Sequence, residues 1–132
     1  MSLADSSAWV EFDRATGSPV ERRLAALIET GGPLAVTDPV VMEVTAGARD
    51  DRAAARLRDL LLSFSFLPFD AAADFDAASR IYRTCRRQGI TPRGMVDCMI
   101  AAVAWRHGAA LLACDADLER IADVMGLELD RG

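Results

Sequence analysis

Ala110-Leu111-Leu112-Ala113-Cys114-Asp115-Ala116-Asp117 is the stretch on which the fold turns. An unbroken apolar run stops at an acid. So short a run, bounded by turn residues, reads as a buried strand. It follows Gly108, a helix stop, and leads into a helix from Asp117 to Met125. Before it, Met95 to His107 reads as a helix that is apolar nearly all round and therefore buried. A buried helix, a buried strand and a further helix in series are the signature of an α/β chain with a mainly parallel sheet.

Outward from there, the same alternation holds. Ser2-Leu3-Ala4-Asp5 reads as a first strand with an acid at its end, and Ser6-Ser7 offers capping hydroxyls for the helix that starts at Ala8. Gly17-Ser18-Pro19 opens a helix with Val20, Leu24, Leu27 and Ile28 at helical spacing, and Gly31-Gly32-Pro33 stops it. Leu34-Ala35-Val36 is a second buried strand. Thr37-Asp38-Pro39 caps the next helix, and Arg49 to Ser63 forms another. Phe66-Leu67-Pro68-Phe69 reads as a third strand, placed at an edge by its proline. Asp70 caps a helix from Ala71 to Gln88. Leu127-Glu128-Leu129 reads as a short fifth strand.

The chain has 132 residues, which suits a single domain over 1–132. Hydrophobic residues make up 52%, enough to fill a core. No apolar run reaches the ~20 residues of a membrane helix, and Met1 to Val10 lacks the pattern of a secretory signal. The expected compartment is the cytoplasm. The three cysteines, Cys85, Cys98 and Cys114, are widely spaced and read as buried thiols. Net charge is −5, and every basic residue is arginine. The absence of lysine excludes Schiff-base chemistry and lysine-dependent phosphate loops.

In an open parallel sheet the functional crevice lies beyond the carboxyl ends of the strands. Asp5 and Asp115 sit at two such ends, with Asp117 just beyond. Glu43 interrupts Val40-Val41-Met42-Glu43-Val44, and Asp97 interrupts the apolar run from Met95 to Ala104. Each acid alone has a second reading: a loop or capping residue for Asp5, Asp97 and Asp115, an exposed face for Glu43. Together they are carboxylates in apolar settings, which repel unless a cation joins them. An all-oxygen set suits magnesium or manganese.

These residues resemble the motifs of PIN-domain ribonucleases, in particular the VapC toxins of bacterial toxin–antitoxin pairs. Leu3-Ala4-Asp5-Ser6-Ser7-Ala8-Trp9-Val10-Glu11 resembles the first motif. Pro39 to Ala48 resembles the second, Arg93 to Ala102 the third, and Leu111 to Ala122 the last. The resemblance implies a three-layer α/β/α fold with a short, mainly parallel sheet. It implies a catalytic set of Asp5, Glu43, Asp97 and Asp115 around Mg2+ or Mn2+. Asp5, Asp97 and Asp115 are the implied metal ligands. Glu43 would act through a water or a second metal, Asp117 through a water, and Ser7 would support the site. The last motif departs from the family at Leu118, often aromatic there, and at Cys114, often polar. Neither departure removes an acid.

The implied activity is metal-dependent cleavage of single-stranded or loop RNA, transfer RNA among the targets. Phosphate contacts need cations, and Arg83, Arg86, Arg87 and Arg93 are the first candidates, followed by Arg106, Arg14, Arg22 and Arg23. The run Arg83 to Gln88 also reads as a solvated helix end. His107 reads as a capping residue. The implied partners are a second copy of the chain and a cognate VapB-type antitoxin whose helix docks on apolar residues. Trp9, Phe12, Phe64 and Phe66 are candidates for that groove, and each also reads as core.

Three alternatives stand beside this reading. A catalytically inactive PIN-fold binding module would keep the fold without cleavage. A receiver-like signalling domain needs a lysine, which is missing. A phosphohydrolase with a carboxylate nucleophile needs a second aspartate two residues after the first, where Ser7 stands.

Overall fold

The computed structural model describes residues 1–132. Its strands are β1 (Ser2–Ala4), β2 (Leu34–Val36), β3 (Ser65–Phe66) and β4 (Ala110–Leu112). Its helices are α1 (Ser6–Asp13), α2 (Pro19–Thr30), α3 (Asp38–Ala46), α4 (Asp51–Leu61), α5 (Ala71–Arg87), α6 (Met95–His107) and α7 (Ala116–Met125).

The strands form one parallel sheet in the order β3-β2-β1-β4. Leu3 is in register with Ala35 on one side and Leu111 on the other. Helices α1 to α4 pack mainly among themselves, and α5, α6 and α7 form a second group, with α3 meeting α6 between the two. Parallel crossovers are right-handed, and the chain reverses direction across the sheet after β3, so the two groups cover opposite faces. This is a three-layer α/β/α arrangement. Because β1 and β4 send the chain to opposite sides, the crevice at their carboxyl ends is a topological switch point.

The core explains why such short strands hold. Leu3, Val36, Leu111 and Leu112 of the sheet are fully buried, as are Ile100 and Val103 of α6. Burying a side chain of this size contributes about 1.5–3 kcal/mol. Helix α6 contributes six buried residues, in keeping with its apolar sequence. No helix is long and apolar enough to cross a membrane.

Several local expectations are corrected. Ser6 and Ser7 lie inside α1, and its cap is Asp5, whose side chain accepts the Ser7 N–H. Thr37 occupies the cap position of α3 but its buried hydroxyl makes no capping bond. Strand β3 holds only Ser65 and Phe66. Leu67 still donates its N–H to Val36 O at 2.8 Å, and Pro68, lacking an N–H, ends the pairing. Strand β4 stops at Leu112, three residues short of Asp115. The fifth strand reduces to one bridge between Leu111 and Leu129. Cys85 and Cys98 are buried, and burial pushes the Cys98 thiol up to about 12. Cys114 is exposed, contrary to the reading of all three thiols as buried.

Candidate active site

Asp5 leaves β1 at the switch point. Its N–H donates to Leu112 O of β4 at 2.9 Å, so the two strand ends are laced together beneath it. The side chain is 2% exposed. Its Oδ2 accepts the Ser7 hydroxyl at 2.7 Å and the Ser7 N–H at 3.2 Å. Its Oδ1 is buried and has no partner. Burial pushes the carboxyl above the usual range, the bonds from Ser7 and Ser6 oppose that, and the charge of Glu43 adds to it.

The Ser7 hydroxyl has a second task. It accepts the N–H of Cys114 at 2.8 Å, which ties α1 to the segment after β4. On the neighbouring helix α3, Glu43 is half-buried, and its Oε1 accepts the Ser6 hydroxyl at 2.6 Å. The adjacent hydroxyls of Ser6 and Ser7 therefore orient two different acids. Only Ser7 was expected to support the site. The Asp-Ser-Ser run was the available signal for Ser6, and it was read there as helix capping.

Asp97 lies in the first turn of α6. Its carboxyl is pushed up to about 7, first by burial and then by the charges of Asp5, Asp115, Glu43 and Asp117. Charges raise a carboxyl's affinity for its proton only when they are near. The fold thus brings four acids from three other sequence segments near Asp97.

Asp115 caps α7, with its Oδ1 accepting the Asp117 N–H at 2.8 Å. The same oxygen lies 3.3 Å from Arg93 Nη2. Asp117 is 2% exposed, and its Oδ2 accepts the backbone N–H of Arg93 at 2.9 Å. Sequence spacing carried no sign of that link between two motifs.

The donors at this rim are oxygens alone, suited to a hard cation. Asp5 Oδ1, buried and unpaired, is the kind of atom a cation or water would satisfy. No three acidic, histidine or cysteine side chains stand together closely enough to hold a metal ion between them. Magnesium retains several of its waters and binds directly to few carboxylates, so one or two direct ligands, with the other acids acting through water, is the binding this rim allows.

The arginines divide. Arg106 is bound to Asp74 through Nε at 2.9 Å and Nη2 at 2.8 Å, and it also donates to Pro68 O. Burial pushes the Asp74 carboxyl up, but the bonds from Arg106 and the Asp70 N–H outweigh it and hold the group below the usual range. Arg23 is likewise paired with Asp130 at 2.9 Å. Arg22 donates to Gly17 O. Each of these three thus has a partner within the fold. Arg83, Arg86 and Arg87 line one shallow, open depression. His107 ends α6, where Gly108 takes the left-handed cap conformation at φ 62°.

A groove of about 260 Å³ runs from the acid rim between α1, α3 and α4. Ser6 and Glu43 line one end, Val44, Ala53 and Leu57 the apolar part, and Arg14 the flank. Trp9 contributes to its wall yet is buried, packed on Phe12 at 6.0 Å and Phe64 at 5.6 Å between ring centroids. Phe12, Phe64 and Phe66 are half-buried against the core. Trp9 and Phe12 also line an adjoining apolar pocket with Leu57 and Leu60, whereas Phe64 and Phe66 line neither.

Comparison with known proteins places the fold in a family. The family model of the PIN domain matches residues 3–124. The VapC ribonuclease Mb1587 of Mycobacterium bovis is 43% identical over 129 residues, which cover 97% of this chain and 96% of that one. Ribonuclease VapC11 of Mycobacterium tuberculosis gives the same identity and coverage. Among solved structures, VapBC2 from Rickettsia felis, bound to a promoter DNA fragment, superposes with a TM-score of 0.74 at 19% identity, covering 98% of this chain and 96% of that one. The Mycobacterium tuberculosis toxin VapC20, described as cleaving the sarcin-ricin loop, superposes with a TM-score of 0.71 at 19% identity over the whole of both chains. These two likenesses concern the fold, whereas the family model and the mycobacterial relatives carry descent. The chain belongs to the PIN-domain family and, within it, to the VapC ribonucleases.

Proposed function

We propose that this protein is a divalent-metal-dependent endoribonuclease, the toxin of a toxin–antitoxin pair, with Asp5, Glu43, Asp97 and Asp115 as its catalytic acids. The observation that carries the proposal is the convergence of acids from four chain segments at the carboxyl ends of β1 and β4, where Asp5 Oδ1 is buried without a partner and the neighbouring acids push the Asp97 carboxyl up. A site that crowds negative charge into a half-buried crevice is built to receive a cation.

Asp5, Asp97 and Asp115 would hold magnesium or manganese, with Glu43 and Asp117 reaching it through water. When bound, such an ion polarises the scissile phosphate and makes a nucleophile of water at neutral pH. Glu43, held by Ser6, is placed to accept the proton of the attacking water. Ser7 keeps Asp5 oriented and ties it to the loop that carries Asp115. Arg83, Arg86, Arg87 and Arg93 bind the phosphates of the RNA backbone. Unstacked bases of a loop, as in transfer RNA, are the bases such a rim can reach.

The groove beside Ser6 and Glu43 would take an amphipathic helix of a VapB-type antitoxin, which would then obstruct the acid rim. The active species would be a homodimer. Incubation of RNA with the purified wild type in added magnesium or manganese, beside Asp5→Ala, tests the function. Cleavage by the wild type alone is the expected result. Equal cleavage by both, or by neither, overturns it.

A further inference from the structure

Arg93 holds two acids of the last motif at once. Its backbone N–H donates to Asp117 Oδ2 at 2.9 Å, and its guanidinium lies 3.3 Å from Asp115 Oδ1. The two ties differ in kind. Asp117 is buried, so the main-chain bond is shielded from water and fixes where the Arg93 backbone sits. The side chain is 79% exposed, and Asp115 is the one carboxylate within 4.0 Å of it. An exposed ion pair of that sort is weak.

Asp115 does not depend on the guanidinium for its orientation, because the same oxygen accepts the Asp117 N–H at 2.8 Å. A divalent cation on Asp115 would repel a guanidinium already in contact with it. The Arg93 side chain can swing away through solvent while its pinned backbone keeps it at the rim. A guanidinium is also the side-chain group best matched to phosphate oxygens.

We propose that Arg93 is a resident counter-cation of the acid rim: it neutralises Asp115 while the metal is absent, gives way when a divalent cation takes that carboxylate, and then holds a phosphate oxygen of the RNA backbone. This rests on the ribonuclease reading above and adds an exchange of partners to it. It makes metal binding and RNA binding mutually reinforcing, since each removes a competitor of the other.

The test reads the thermal midpoint of the full chain across a manganese titration for wild type, Arg93→Gln, Arg93→Lys and Asp97→Asn. Arg93→Gln is expected to reach half of its midpoint rise at a manganese concentration about two- to five-fold below wild type, the size of an exposed ion pair. Arg93→Lys, which keeps the charge, is expected to titrate like wild type. In parallel, the binding of a labelled single-stranded RNA oligonucleotide is followed by fluorescence anisotropy on ice. Manganese is expected to tighten it for wild type and to do so less for Arg93→Gln.

An Arg93→Gln titration equal to or weaker than wild type overturns the displacement. A lysine variant that behaves like the glutamine variant overturns its electrostatic basis, and equal tightening of RNA in wild type and Arg93→Gln overturns the phosphate contact. Asp97→Asn separates these failures from that of the site. If it responds to manganese as fully as wild type, the acid rim is misassigned. If it loses the response while Arg93→Gln matches wild type, only the role of Arg93 falls.

Discussion

Ser6 donates its hydroxyl to Glu43 Oε1 across 2.6 Å and so joins the first turn of α1 to the middle of α3. A hydrogen bond to a carboxylate contributes about 1.5–3 kcal/mol, and here it fixes where the carboxylate points. Ser6→Ala is expected to lower RNA cleavage about tenfold, with the thermal midpoint within a few degrees of wild type. Initial rates on one RNA substrate check this. Cleavage at the wild-type rate would remove Ser6 from the positioning of Glu43.

The Asp97 carboxyl gives the metal-free protein a distinctive pH dependence. Its folded pKa of about 7 lies above the ordinary aspartate value of 3.8. Between those values the folded state binds more protons than the unfolded one, so stability falls as pH rises. Asp74 and Asp130 are held below their ordinary value, so their contribution is lost instead as pH falls through the acid range. Urea unfolding in a chelating buffer is expected to show greater stability at pH 5 than at pH 7.5. Asp97→Asn should flatten that difference.

The same substitution separates stability from chemistry. Asp97→Asn removes a repelled charge, so the metal-free variant is expected to melt no lower than wild type at pH 7.5. It also removes a proposed metal ligand, so RNA cleavage should be abolished. A variant that cuts RNA at the wild-type rate would contradict the assignment of Asp97.

Arg106 is expected to matter for the fold and not for RNA. It makes two bonds to the buried Asp74 and one to Pro68 O, tying α6 to α5 and to the segment after β3. Arg106→Ala would leave Asp74 buried without its cation, at a cost of about 2–3 kcal/mol. That is less than a fully buried pair loses, because the arginine is partly exposed. Denaturant unfolding at pH 7 measures it, and an unchanged midpoint would show that the pair contributes nothing.

Leu57 lies in the apolar part of the groove next to the acid rim, and it is only half-buried. Leu57→Glu places a charge where an antitoxin helix would bury apolar surface. The variant is expected to cleave RNA as wild type does and to escape silencing by its antitoxin. Native gel shift with the purified pair tests this, and unchanged complex formation would move the docking surface elsewhere.

The layout of the fold was legible because it rests on local patterns. Leu34–Val36 and Ala110–Leu112 are apolar runs bounded by turn residues, and both are strands. The apolar pattern from Phe66 to Phe69 misled, because hydrophobicity does not reveal whether a backbone has a partner. Pro68 has no N–H to pair, and pairing ends there. The acids were legible as charges in apolar settings. The groups that orient them were not, because Ser6 with Glu43, Ser7 with Cys114 and Arg93 with Asp117 meet only through tertiary packing. The pairing of Arg106 was hidden for the same reason: its partner Asp74 sits 32 positions away.

The hydrogen bond from Asp5 to Leu112 O has a temporal meaning. Translation supplies Asp5 well before Asp115. Until the ribosome has released the β4 segment, β1 is paired on the β2 side alone, and Asp5 and Asp115 cannot converge. Under the function proposed above, a chain still lacking β4 would therefore not yet cleave RNA.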